Sequence, residues 1–186
     1  DIMTDVATRI AARFGVPSAR VFGSGTTLDT ARFRALLSRH LGIDATHVHG
    51  YVVGEHGDSA VLLWSCADVA TIGLQDFCDA RGITLDDRVR ADIDTNVRRA
   101  AYQIIEGKGA THYGIGSALA RICANVLGNR KSVMTVCTRQ ADVVGVPDVT
   151  LSLPRLIGGH GVLDVMPLSL DSAEEAQLRR SAETIK

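Results

Sequence analysis

Six histidines occur in this 186-residue chain, and one of them stands where an imidazole can do chemistry. His56 lies in the stretch Gly54-Glu55-His56-Gly57-Asp58-Ser59, where nearby glycines remove steric cover and Glu55 and Asp58 supply carboxylates. Such an imidazole suits proton transfer, although a histidine in a surface turn has the same local appearance. A second constellation is Leu28-Asp29-Thr30-Ala31-Arg32-Phe33-Arg34. At about 100° per helical residue, Asp29 and Arg32 fall about 60° apart, whereas Arg32 and Arg34 fall about 160° apart. The two arginines therefore serve different partners. The plainest reading of Asp29 and Arg32 is a surface ion pair worth no more than about 0.5 kcal/mol.

Other candidates carry less. None of the glycine clusters has the spacing that cradles a phosphate: Leu28, His112 and Leu119 stand where the third glycine of each would fall, and there is no GxxxxGK[ST] run. The chain has no dinucleotide fingerprint of its own. His47 and His49 would share one strand face, but no third ligand stands at a metal-binding spacing, so a solvated or interface face is expected and no metal. His40, His112 and His160 are isolated. Cys66, Cys78, Cys123 and Cys137 form no CxxC and lie in apolar stretches, which predicts buried reduced thiols and a reducing, cytoplasmic setting.

The elements that must position these residues read as follows. Ile2, Val6 and Ile10 mark an amphipathic helix over 1–14, capped by Asp1 and stopped by Gly15 and Pro17. Phe33, Leu36, Leu37 and Leu41 mark a second helix ending at Gly42, entered through the turn Gly23 to Thr27. Strands at Val48 to Val53 and Val61 to Trp64 flank the His56 turn as a hairpin. A long helix follows, with Thr84 and Asp87 as its capping box, an apolar line from Leu85 to Ile104, and Gly107 and Gly109 closing it. Then come a helix around Tyr113 to Leu127, strand-like runs at Ser132 to Thr138 and Val149 to Leu153, and a last helix with Ser172 and Glu175 as its box. Without a regular βαβαβ alternation, linker or repeat, this order predicts one α+β domain of long helices packed on mostly antiparallel sheet.

Composition narrows the function classes. With 46% apolar and 22% charged residues the chain should fold in water, and 20 Lys+Arg against 21 Asp+Glu lacks the basic excess that phosphate-backbone binding needs, so no nucleic-acid partner is expected. No apolar run reaches the roughly 18 residues of a membrane span, so no membrane partner is expected. The start at Asp1, already in helical phase, suggests a fragment or processed chain.

Taken together, Gly-Ser-Gly-Thr-Thr-Leu-Asp29-Thr-Ala-Arg32-Phe-Arg34, Gly54-Glu-His56-Gly-Asp-Ser and Gly107-Lys-Gly-Ala-Thr111 resemble the L-lactate/malate dehydrogenase family along essentially the whole chain. The resemblance implies residues 1–186 are the C-terminal, substrate-binding and catalytic domain of an NAD-dependent 2-hydroxy acid dehydrogenase, without the NAD-binding Rossmann half and its mobile, arginine-bearing loop. It implies His56 as general acid/base, Asp29 as acceptor of the other ring N–H, and Arg32 as the fork that clamps the substrate carboxylate. Thr111 matches a pocket residue, and Ser24 and Ile115 match positions facing the nicotinamide of NAD. Arg34 and His49 match positions by which allosteric bacterial members hold fructose 1,6-bisphosphate at a subunit interface. Glu55 and Thr111 lean toward pyruvate and L-lactate over malate. The family further implies a homo-oligomer, a tetramer in the intact enzyme. Without the cofactor half, the chain is expected to be inactive. Rival readings are a malate or other 2-hydroxy acid dehydrogenase domain, and a non-catalytic assembly module.

Overall fold

A computed structural model describes residues 2–186, so the expected Asp1 cap lies outside the described residues. The first helix, α1 (Ile2–Arg13), forms as its periodicity predicts, but its apolar stripe faces outward: Ile2, Val6 and Ile10 are exposed and Thr8 is the buried residue. Polar ties hold the inner side instead. The Thr150 hydroxyl donates to Asp5 at 2.9 Å, and Arg9 joins Asp5 to Asp148. Helix α2 (Thr27–Leu41) buries Phe33, Leu37 and Leu41 and ends on Gly42 in the left-handed region, a conformation glycine adopts without a Cβ clash.

The predicted strand at 48–53 divides in two. Strand β1 (Val48–His49) and strand β2 (Val52–Val53) are separated by Gly50 and Tyr51 and enter different sheets. The break has a packing cause, since a Cβ on Gly50 would lie 2.9 Å from the Phe33 ring and the Gly50 carbonyl accepts from Arg34. β2 pairs antiparallel with β3 (Val61–Leu62) as the expected hairpin, while β1 pairs with β4 (Asp68–Val69), which pairs with β5 (Ile72–Gly73). Helix α3 (Leu74–Arg81) leads to α4 (Asp87–Lys108), whose cap is Asp86, accepting from the Val89 N–H at 2.9 Å, and not Thr84; Leu85 precedes the helix, and Gly109 ends it in the left-handed region. Helix α5 (His112–Leu127) follows.

The two runs at 132–138 and 149–153 are parts of one long hairpin, β6 (Ser132–Val143) and β7 (Val146–Gly158), closed by Val144 and Gly145, both at positive φ as a primed turn requires. A further strand that the sequence reading missed, β8 (Gly161–Val165), pairs with β7. The last helix, α6 (Ser172–Thr184), takes its capping box from Asp171 and Glu174, one residue earlier than predicted, because Asp171 accepts from both the Ala173 and Glu174 N–H groups. Every named strand pairing is antiparallel, giving the expected α+β architecture.

Three apolar clusters hold these parts together. One joins α2 to α3, α4 and the β1–β4–β5 sheet; a second joins α6 to β2, β3 and β7; a third packs α5 on β6 and β7. Arg155 on β7 is 1% exposed, and its Nε and Nη2 meet no partner among the described residues; burial pushes its guanidinium pKa down. No disulfide forms among the described residues; Cys78 and Cys137 are buried, Cys66 is half-buried, and Cys123 on α5 is exposed, contrary to the expectation of buried thiols. No helix among the described residues is long and apolar enough to cross a membrane.

Candidate active site

Helix α2 and the β2–β3 hairpin are locked together before any charged group is considered. The Thr26 hydroxyl donates to the Val52 carbonyl, while the Val52 N–H donates to the Thr30 hydroxyl at 3.0 Å. Because its hydroxyl is committed to β2, Thr26 occupies the helix N-cap position without capping the helix. The Thr26 N–H donates in turn to Ser152 on β7. These bonds set the first turn of α2 against the strand that leads directly into the His56 turn. Thr26, in a turn whose residues are N-cap candidates by sequence, and Thr30 thus tie α2 to β2; that cross-link is signalled in the sequence only by their i, i+4 spacing at the head of a helix.

Asp29 sits on that first turn with its side chain 7% exposed. A carboxylate there also benefits from the positive end of the helix dipole. The His56 Nδ1 lies 2.6 Å from Asp29 Oδ2, although 27 residues separate the two in sequence. On the other carboxylate oxygen, Arg32 Nη1 donates to Oδ1 at 3.0 Å. The predicted ion pair therefore forms, but it is largely buried and is shared with His56, so it is not a surface pair. Asp29 raises the His56 pKa, first through the hydrogen bond; burial and Arg32 oppose that shift, and Glu55 reinforces it. The imidazole side chain remains 49% exposed, within reach of a small solute.

The turn itself is braced from within. Glu55 accepts from the Ser59 N–H at 3.3 Å and from the Ser59 hydroxyl, so its carboxylate is committed to the turn. Arg98 on α4, paired with Asp94, donates to the Asp58 carbonyl. Three further predicted residues, Ser24, Thr111 and Ile115, lie in the turn before α2 and at the head of α5. Ser24 is half-buried in the turn before the helix, and its carbonyl accepts from Thr27 at 3.1 Å. Thr111 is half-buried at the N-cap position of α5 with no side-chain cap bond, and Ile115 is half-buried one turn later. Gly114, between them, faces Leu28, the neighbour of Asp29: a Cβ there would lie 3.1 Å from Leu28 Cδ2.

Arg34 leaves the opposite side of α2, as its helical phase requires. Its Nε donates to the Gly50 carbonyl at 2.9 Å and its guanidinium lies 5.1 Å from the centre of the Tyr51 ring. Burial pushes the Arg34 pKa down, and the like charge of Arg121 adds to this. Together with Arg121, Thr27, Thr46 and Tyr51, Arg34 lines a cavity of about 350 Å3. His49 is exposed beside Gly50, on β1 opposite Asp68, and outside that lining. His47 is exposed in the preceding turn, and no cluster of three or more His, Cys, Asp or Glu side chains among the described residues is arranged to hold a metal ion.

Residues 26–186 match the family described as the lactate/malate dehydrogenase, alpha/beta C-terminal domain. The chain belongs to the lactate/malate dehydrogenase family. It is 53% identical over 186 residues to an L-lactate dehydrogenase of Geotalea daltonii and 54% identical over 188 residues to one of Thermus aquaticus, covering all of this chain and 59% of each relative. A solved lactate dehydrogenase, MGS-M5, from a Medee basin deep-sea metagenome library superposes with a TM-score of 0.87 at 38% identity, over 92% of this chain and 55% of that one. The chain thus spans under two thirds of the length of these dehydrogenases. Within the family domain, His56, Asp29 and Arg32 form one hydrogen-bonded group, and Arg34 belongs to a separate cavity.

Proposed function

We propose that this chain is the substrate and catalytic half of an NAD-dependent L-lactate dehydrogenase, interconverting pyruvate and L-lactate. The observation that carries the reading is the 2.6 Å contact between His56 Nδ1 and Asp29, with Arg32 on the same carboxylate. With Nδ1–H held by Asp29, the transferable proton resides on Nε2, and the upward shift that Asp29 gives the ring favours imidazolium, the form that donates to a 2-keto oxygen. In the reverse direction neutral His56 takes the lactate hydroxyl proton. Arg32 spends one N–H on Asp29, and its planar fork suits the substrate carboxylate, a geometry a lysine ammonium lacks. Thr111, at the head of α5, contributes to the pocket beside the substrate.

NAD supplies the hydride when bound. Ser24, in the turn that opens α2, and Ile115, next to the Gly114 that packs on Leu28, would hold its nicotinamide edge with a hydroxyl and an apolar side chain. The 186 residues hold no glycine fingerprint for the rest of the nucleotide. The chain by itself is accordingly expected to turn over no NADH with pyruvate, and adding a separate Rossmann half should restore turnover. Activity of the isolated chain, or none after complementation, would sink the reading. A substrate panel on the complemented enzyme separates pyruvate from the 2-keto acid of malate; Glu55 and Thr111 support pyruvate.

The cavity on the far side of α2 supports an effector role. Two arginines, Arg34 and Arg121, line it, and His49 is exposed on β1 two residues before the lining Tyr51, a set suited to fructose 1,6-bisphosphate in a homotetrameric, cytoplasmic enzyme. A second reading, a non-catalytic assembly module, draws on the exposed Ile2, Phe14, Tyr113 and Leu127. Self-association in sedimentation with no recovery of activity on complementation would favour it.

A further inference from the structure

The His56 turn touches the C-terminal helix at one polar point. Ser181 on α6 is 0% exposed, and its hydroxyl accepts from the Glu55 N–H at 2.9 Å, although 126 residues separate the two. The same hydroxyl lies 3.1 Å from the Ser59 hydroxyl. Ser59 bonds the Glu55 carboxylate, which completes a ring of hydrogen bonds running from Glu55 N–H to Ser181, to Ser59, and back to Glu55.

Proton counting gives the ring one sense. A backbone N–H can only donate and a carboxylate can only accept, so Ser59 must give its proton to Glu55, and Ser181 must give its own to Ser59. Every hydroxyl is used once as donor and once as acceptor. Close approach is built in at Gly54, where a Cβ would fall 2.5 Å from Ser181 Oγ; φ of +85° at that residue also favours glycine. The backbone of Gly54 is meanwhile bridged to Ser152 on β7, with N···O distances of 2.8 and 3.0 Å.

We propose that Ser181 is a positioning residue for His56, fixing the turn so that Nδ1 meets Asp29. The proposal deepens the reading of His56 as proton donor and rests on it for its functional consequence. Asp29 is anchored on its side by Thr26 and Thr30, and the Ser181 ring anchors the other partner; the bond between them needs both. Glu55, by this account, is a strut within the turn. Without the Ser181 oxygen its N–H loses its acceptor, the Ser59 hydroxyl loses a donor, and the turn is released next to His56.

The test is an NMR titration of the His56 ring in the 186-residue chain, with the signal assigned by His56→Gln. Asp29→Asn sets the scale, since it removes the charge that raises the midpoint. Ser181→Ala should lower the His56 midpoint toward that of Asp29→Asn, and Ser59→Ala should lower it by less. Ala182→Gly, which weakens the same helix at a buried position without touching the hydroxyl, should leave the midpoint where it is. An unchanged midpoint in Ser181→Ala, or an equal fall in Ala182→Gly, would overturn the proposal. The readout needs no cofactor or turnover, so a fall in Ser181→Ala supports the positioning role even if the complemented enzyme proves inactive; that inactivity would count against the dehydrogenase reading alone.

Discussion

Arg32 and Arg34 stand two residues apart on one helix and meet burial in different ways. Arg32 is paired with a carboxylate that also holds His56, so its charge is neutralised locally and the three side chains act as a unit. Arg34 has a backbone carbonyl and a tyrosine ring for company, with a second arginine across the cavity, and burial lowers its pKa. A guanidinium hydrogen-bonded to a carboxylate can orient a reacting group; Arg34, with Asp68 acting on it only through its charge and Arg121 opposing it, is left able to take up an anion in the cavity it lines. Arg155 lies further along this scale, buried with two donors unmatched.

The largest effect expected on the Asp29 side is loss of proton transfer. In the complemented enzyme His56→Gln should cut kcat by roughly 10²–10⁴-fold, the ordinary worth of a positioned acid/base. Asp29→Asn tests the pairing itself. Because Asp29 raises the His56 pKa, the imidazolium and the stability it lends are fully present below the ordinary value of 6.5 and are lost as pH rises through the raised value. Pyruvate reduction should therefore decline on the alkaline side, and Asp29→Asn should move that decline to lower pH; a decline that stays in place would separate His56 from Asp29. Arg32→Lys comes next. Losing the second arm of a fork is worth about 1.5–3 kcal/mol, so KM for pyruvate should rise roughly 10–150-fold in steady-state assays, while Arg34→Lys should leave it near the original.

Arg155→Met removes a buried cation and should stabilise the chain by about 1–4 kcal/mol in urea unfolding, an effect the neutralised Arg32 would not give. The smallest effect on basal turnover is expected from Arg34→Gln, which should leave kcat within about twofold while abolishing any fall in pyruvate KM caused by fructose 1,6-bisphosphate. A response that survives this change would place the effector elsewhere and erase the contrast between the two sides of α2.

Much of this contrast was legible in helical phase. The angles between Asp29, Arg32 and Arg34 follow from 3.6 residues per turn, and the structure accordingly gives the two arginines different partners, Asp29 for Arg32 and the Gly50 carbonyl for Arg34. Caps were less legible: Asp86 follows the predicted Thr84 by two residues and Asp171 precedes the predicted Ser172 by one, because several capping residues compete near every helix end. The outward stripe of α1 was not legible, since periodicity reveals an apolar face without saying what covers it. The 48–53 run looked like one strand because β propensity is local, while its division at Gly50 depends on the Phe33 ring, 17 residues earlier.

The chain alone specifies which side chains can carry the chemistry and how those within one helix are phased, because a few bonds of backbone with fixed dihedrals leave little freedom between neighbours. The meeting of His56 with Asp29, of Val52 with Thr26 and Thr30, and of Glu55 with Ser181 lies beyond that reach. Those pairs are 22 to 126 residues apart, and they form only when three apolar clusters bury α2, the β2–β3 hairpin and α6 against their neighbours. Burial without specific direction brings the elements together, and the short directional bonds at Thr26, Thr30 and Ser181 then decide where the imidazole stands.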